Sequence, residues 1–330
     1  MTPPWAVGPF VLYLLLIAAL PLLHERFWRH HRNKLYVALV LSTPVLVYLF
    51  SIKGRGAAGE VLHIILDYAT FVALIGALFT VSGGIALRGS LAGSPPINLL
   101  FLLGGALLSN MIGTTGASVL LIRPLLRANR HRAYKTHIVV FFIFIVSNVG
   151  GLLTPLGDPP LFLGFLRGVP FPWTLRLYRE WGLVNGCLLA LFIFVDRFLL
   201  RRERGAADLA TVPTARPLAE DGPLKVEGGL NLFWLFVLVG FVSAIGANGE
   251  RWLGSFYLRA LAEVAGLIGL GGLAYATTSP AIRQRNLHEW APLLEVAAVF
   301  VGVFITMTPA LSYLAERGGA LGITRPIQFF

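Results

Sequence analysis

Apolar residues run along this chain in long blocks, separated by short polar or basic stretches, at 7–23, 35–52, 61–87, 97–122, 137–166, 181–200, 230–248, 258–277 and 291–315. Each block is long enough for a helix that crosses a bilayer or for a helical hairpin within it, since crossing takes about 20 residues. The pattern predicts an all-α polytopic membrane protein. One block departs from it. Residues 147–162 read SNVGGLLTPLGDPPLF, and no regular helix passes unbroken through Gly150, Gly151, Pro155, Gly157, Pro159 and Pro160. The block at 137–166 is therefore predicted to be a broken span. Irregular backbone at membrane depth is tolerated only where protein or a water-filled cavity surrounds it, which makes the break a candidate binding region.

Composition agrees with the pattern. The 330 residues are 56% hydrophobic and 13% charged, about half the charge fraction of a soluble domain. The single cysteine, Cys187, excludes an internal disulfide and a cysteine-based metal cluster. The first block lacks a basic stretch before it and is followed by one, so it is a span and not a signal peptide. The net charge of +11 does not point to nucleic acid, because basic residues of membrane proteins crowd the cytoplasmic loops and the lipid headgroups.

Charge placement also decides how the block at 97–122 sits. If it crosses, the basic clusters at 123–135 and 197–204 face away from the cluster at 26–34. If it dips in and returns, all three share one face, which then carries twice as many Lys and Arg as the other, as the positive-inside rule requires. A re-entrant hairpin is expected, turning near 109–115, with the amino terminus outside. The polar stretch 201–229, with Pro213, Pro217 and Pro223, is expected to be a flexible cytoplasmic linker. A weak internal repeat lays Phe71-Val72 on Phe300-Val301 and Arg88-Gly89 on Arg317-Gly318, with the two copies running in opposite directions through the membrane. The expected organisation is a first transmembrane repeat at 1–200, the linker at 201–229 and the start of a second, inverted repeat at 230–330. On this alignment the counterpart of Ser109-Asn110 falls about eight residues beyond Phe330, so the second repeat is expected to be truncated.

Two polar constellations sit at membrane depth in the first repeat. The hairpin turn carries Ser109, Asn110, Gly113, Thr114 and Thr115, whose hydroxyl and amide oxygens suit a hard monovalent cation or a small anion. The break carries Asn148, Thr154, Gly157 and Asp158, and a half-helix starting near Pro159-Pro160 aims its amino end at them. A carboxylate at the bilayer centre costs about 3 kcal/mol, so Asp158 is expected to meet a proton, a cation or a basic partner, unless it merely caps the half-helix. Asp67 and Glu295, near the starts of their helices, are possible proton-relay acids or solvated capping acids. His137 is expected to be an interfacial residue.

At these motifs the chain resembles the ion-transporter superfamily, which includes D-type sodium/proton antiporters, arsenite-efflux permeases, citrate transporters and divalent-anion symporters. The run Gly150–Pro160 is similar to its broken-helix element, and Ser109-Asn110 with Thr114-Thr115 to its hairpin Ser-Asn-Thr element, interrupted here by Met111-Ile112-Gly113. The resemblance implies two inverted repeats, a homodimer, a bacterial cytoplasmic membrane location, and sodium sites built from Ser109, Asn110, Thr154 and Asp158. The expected activity is secondary transport without a resident cofactor, with sodium/proton exchange at Asp158 first. Coupled transport of citrate or another carboxylate, or anion efflux, is the alternative. Membrane lipid and a small ion or organic anion are the expected partners, and nucleic acid is not. An intramembrane protease using Asp67 and Asp158 is disfavoured, because Pro155-Leu156-Gly157-Asp158 lacks the Gly-x-Gly-Asp setting such enzymes need.

Overall fold

The computed structural model describes residues 2–88, 93–209, 225–286 and 290–317. In chain order the helices are α1 Gly8–Leu23, α2 Glu25–Trp28, α3 His31–Lys53, α4 Ala57–Gly83, α5 Pro95–Ala128, α6 Thr136–Ile145, α7 Pro159–Leu166, α8 Tyr178–Leu209, α9 Gly229–Leu253, α10 Phe256–Thr277, α11 Pro280–Arg285 and α12 Ala291–Arg317. Two three-residue strands, β1 Ala86–Arg88 and β2 Lys225–Glu227, pair antiparallel. Eight helices among the described residues are long and apolar enough to cross a membrane. Many of their exposed side chains are large and apolar, including Leu22, Phe194, Ile268 and Leu183. In water such faces would have to be covered, whereas lipid tails solvate them. This is a multi-pass membrane protein.

Its contacts divide it into two compact units. Unit 1 comprises residues 1–72 and 289–330, and its described core is built from α1, α3, α12 and the first part of α4. Tyr13 is fully buried and its hydroxyl donates to the Val299 carbonyl at 2.7 Å. Its ring lies directly on Gly302, where a Cβ would come within 2.6 Å of Cζ, so the packing depends on that glycine. Phe71 meets the ring of Phe300 at 4.6 Å, and the Tyr68 hydroxyl donates to the Ala297 carbonyl at 2.9 Å. Both pairs join positions that the internal repeat lays on one another.

Unit 2 comprises residues 73–288. Its α5 is 34 residues long, yet it is not one rod. Gly113 has φ 75° and ψ 156°, a conformation open to glycine and costly for other residues, and the helix folds back on itself there. The two ends meet: the Gly93 amide donates to the Ala128 carbonyl at 2.8 Å, and Asn98 and Asn129 exchange amide hydrogen bonds at 3.0 and 2.6 Å. Further in, a Cβ on Gly105 would touch the Leu121 side chain at 3.0 Å. The block is therefore a hairpin whose ends share one side, with its turn inside the stretch 109–115. The block at 137–166 is broken, as two short helices, α6 and α7, flank an irregular stretch at 146–158.

The stretch 201–229 differs from a flexible linker at both ends. Helix α8 continues to Leu209, and β2 then pairs with β1 while Gly228, at φ 88°, sits against the Gly84 carbonyl too closely for any side chain. The Asn231 amide adds a bond to the same carbonyl at 3.1 Å. Proline and charge mark a chain that cannot bury itself, but they say nothing of a neighbour able to pair with its ends. The middle of the linker, including Pro213, Pro217 and Pro223, lies outside the described residues, as do Gly89 and Gly318 of the repeat. The two contact units cut across the division at 200 and 230, which concerns sequence repetition and not packing.

Candidate functional site

The hairpin turn and the break are fastened to each other. Asn110 does most of the fastening: its amide donates to the Ala106 and Gly150 carbonyls at 2.9 and 2.7 Å, and its side-chain oxygen accepts from the Leu153 amide at 2.8 Å. The Thr154 hydroxyl returns a short bond to the Asn110 carbonyl. Ser109 lies against the Gly105 and Val146 carbonyls at 2.8 and 2.7 Å. The Thr114 amide, freed by the turn at Gly113, donates to the Gly157 carbonyl at 3.0 Å. Proline and the turn strip these groups of helical partners, and cross-bonds replace them, because an unpaired buried peptide group costs more than a bond contributes.

Small residues let the two segments approach this closely. A Cβ on Gly150 would lie 2.8 Å from the Ala106 Cα, and one on Gly151 would lie 2.6 Å from the Thr114 side chain and 2.7 Å from the Gly157 carbonyl oxygen. At Gly157 it would overlap the Gly151 carbonyl outright. Pro155 is buried in the same loop, and Pro159-Pro160 open α7, where missing amides cost nothing. Residues outside the two motifs complete the frame. The Trp181 indole donates to the Gly150 carbonyl at 2.9 Å, the Thr174 hydroxyl to the Leu153 carbonyl at 2.9 Å, and Ser118 shares a bond with Ser147 at 2.8 Å.

Most of the polar side chains singled out from sequence thus spend their bonds on protein. Ser109, Asn110 and Thr154 shape the break, and Thr114 is buried. Asp158 does not follow them. It occupies the N-cap position of α7 with extended backbone, φ −142° and ψ 135°, but its side chain makes no capping hydrogen bond. Its backbone carbonyl receives the Leu161 and Phe162 amides instead, at 3.1 and 3.2 Å. Capping does not account for this acid. Thr115 and Asn148 are exposed at the same two segments, and Asp158 is half-buried.

Asp67 and Glu295 belong to unit 1 and have local partners there: Glu295 is ion-paired with Lys34, whose side chain is 3% exposed, and Asp67, 2% exposed, lies 3.7 Å from His63. Asp67 is not the solvated acid that a place near a helix start suggested, because α4 turns that face inward, whereas the Glu295 side chain is 50% exposed and reaches the buried Lys34 from the surface. The His137 side chain is 10% exposed and engages a buried acid. Its Nε2 lies 2.8 Å from Oδ1 of Asp196, which also receives Arg132 Nη1 at 2.6 Å, while Asn98 reaches Oδ2 at 3.2 Å. Asp196 is fully buried, and Glu203 holds Arg132 Nε at 3.3 Å and the Tyr134 amide at 2.6 Å. This charged node at the open end of the hairpin was missed in the sequence. The available signal was Asp196 itself, the only acid in the apolar block 181–200.

A hairpin turn bound to a broken span, in a chain of apolar helices, is an arrangement that secondary transporters use. The family model described as "Putative citrate transport" matches residues 1–325. The chain belongs to that family. No curated protein and no solved structure matches it. Membership in the citrate transport family makes this a membrane transporter. Of the two substrates considered from sequence, it favours the carboxylate over sodium/proton exchange alone.

Proposed function

We propose that this member of the citrate transport family is a secondary transporter of citrate or a closely related carboxylate in a bacterial cytoplasmic membrane, working at the hairpin turn and the break. One observation carries the reading: the two segments form a glycine-lined, fully bonded frame that leaves an acid, Asp158, without a capping bond at the start of α7. A frame that tight holds its shape while a solute enters and leaves. The amino end of α7 attracts anionic oxygens, and Thr115 and Asn148 offer donors to a carboxylate. Asp158 repels a carboxylate when ionised, so the substrate arrives with sodium or a proton on that acid, which makes it the coupling residue. Ser109, Asn110 and Thr154 contribute by position, and any sodium they share with Asp158 is held through their oxygens.

Sodium/proton exchange is the second reading, favoured by Asp158 alone. Purified protein in vesicles separates the two. Uptake of labelled citrate driven by a sodium or proton gradient, and lost in Asp158→Asn, supports the carboxylate reading. Proton movement after a sodium pulse in the absence of any organic anion, with no citrate flux, supports exchange.

A further inference from the structure

The hairpin and the break leave one feature of unit 2 unused. A cavity of about 610 Å3 lies between the segment that leaves α7, the end of α9 and the start of α10, with Phe165, Gly168, Phe171, Ser243, Gly246 and Arg259 on its wall. Its size is that of a small-molecule site, about 300–1,000 Å3. Among the described residues that line it, Arg259 is the only charged one. Residues 167–170 are connecting chain, Phe171 and Pro172 open a 3-10 helix, and Arg259 lies in the first turn of α10, so the cavity sits where helices begin and end. The same wall includes α7, whose other end carries Asp158 about 12 Å away along the helix.

The backbone is shaped around the two residues that matter. The Phe165 ring lies on Gly246 so closely that a Cβ there would overlap it, and the Arg259 stem lies on Gly249, where a Cβ would come within 3.0 Å of Cγ. Glu263, one turn on in α10, is 1% exposed and has an oxygen 3.9 Å from Arg259 Nε. A buried carboxylate needs a positive partner, and a guanidinium can serve two carboxylates through its fork of donors.

We infer that this cavity is an entry site for the solute, in which Arg259 binds one of its carboxylates and Glu263 competes for the same guanidinium. The inference rests on the carboxylate reading above. Competition matters physically, because a site on the path of a transported solute has to release it, and an internal anion lowers the affinity of an arginine that would otherwise hold a polycarboxylate too long.

The test uses the full chain in vesicles of neutral phosphatidylcholine, measuring labelled citrate uptake against concentration, alongside equilibrium binding of citrate to the detergent-purified protein. Arg259→Gln is expected to raise the half-saturating concentration on the order of tenfold with little change in maximal rate, and Arg259→Lys to raise it less. Ser243→Leu, which fills the cavity without touching charge, raises it too. Glu263→Gln lowers it, and this opposite sign is one that a merely damaged protein would not give. Unchanged citrate affinity in both Arg259→Gln and Glu263→Gln overturns the inference, as does an absence of citrate binding by the unaltered protein. An Arg259 effect that appears only with anionic lipid assigns the site to a headgroup and also overturns it. Citrate binding that depends on Arg259 without any citrate uptake upholds the entry site and defeats the transport reading instead.

Discussion

The two ends of the hairpin are held by opposite means. At the open end Asp196, Arg132, His137 and Glu203 form a charged node together with the Asn98–Asn129 pair, in which the buried acid has a cationic partner and several donors. At the turn the bonds are between neutral groups, peptide to amide and hydroxyl to carbonyl, and the one acid present, Asp158, has no capping bond. The difference teaches where each end can change state. Removing one member of a buried charged set strands the others, so such a node is rigid; on the proposed function, neutral bonds around Asp158 would keep their geometry while that acid gains or loses a cation.

This contrast can be broken from either side. Asp196→Leu strands Arg132 and His137 in apolar surroundings and should cost about 3–5 kcal/mol, seen as a large fall in the thermal midpoint of detergent-purified protein. Adding Arg132→Met to it should restore part of that loss, because the pair leaves together. Gly157→Ala drives a methyl into the Gly151 carbonyl and should cost about 1–3 kcal/mol while abolishing uptake, with Gly104→Ala, at an open position, as a silent control. Asn110→Ala removes a donor and an acceptor that the Gly150 carbonyl and the Leu153 amide depend on, and should cost about 1–3 kcal/mol with reduced uptake. The smallest stability effect belongs to Asp158→Asn, expected within about 0.5 kcal/mol of the unaltered protein because no capping bond is lost.

The turn and the break were legible in the sequence for a local reason. Glycine and proline fix backbone behaviour within a few residues, so Gly113 and the run Gly150–Pro160 announce a turn and a break wherever the chain folds. The hairpin's return was legible through charge, since only that path places the basic clusters on one face. The roles of Ser109, Asn110 and Thr154 were less legible: their types suit ion ligands and backbone clamps equally, and only the positions of the Val146, Gly150 and Leu153 peptide groups show that they clamp. Of the charged node only Asp196, the lone acid of its apolar block, was legible; its partners were not, because Asn98 and Asp196 stand 98 residues apart and His137 looks the same beside water or beside a buried acid. The ordered ends of the linker were hidden likewise, since β2 needs β1 and neither strand is long enough to show a period.

The central claim is that Asp158 couples solute movement without holding the fold together. The most direct measurement is gradient-driven uptake of labelled citrate by the unaltered protein and by Asp158→Asn, reconstituted at matched amounts and matched thermal midpoints. The account predicts gradient-driven uptake in the first and loss of that gradient dependence in the second, with stability unchanged. Full gradient-driven uptake by Asp158→Asn, or a collapse of its thermal midpoint, would contradict it.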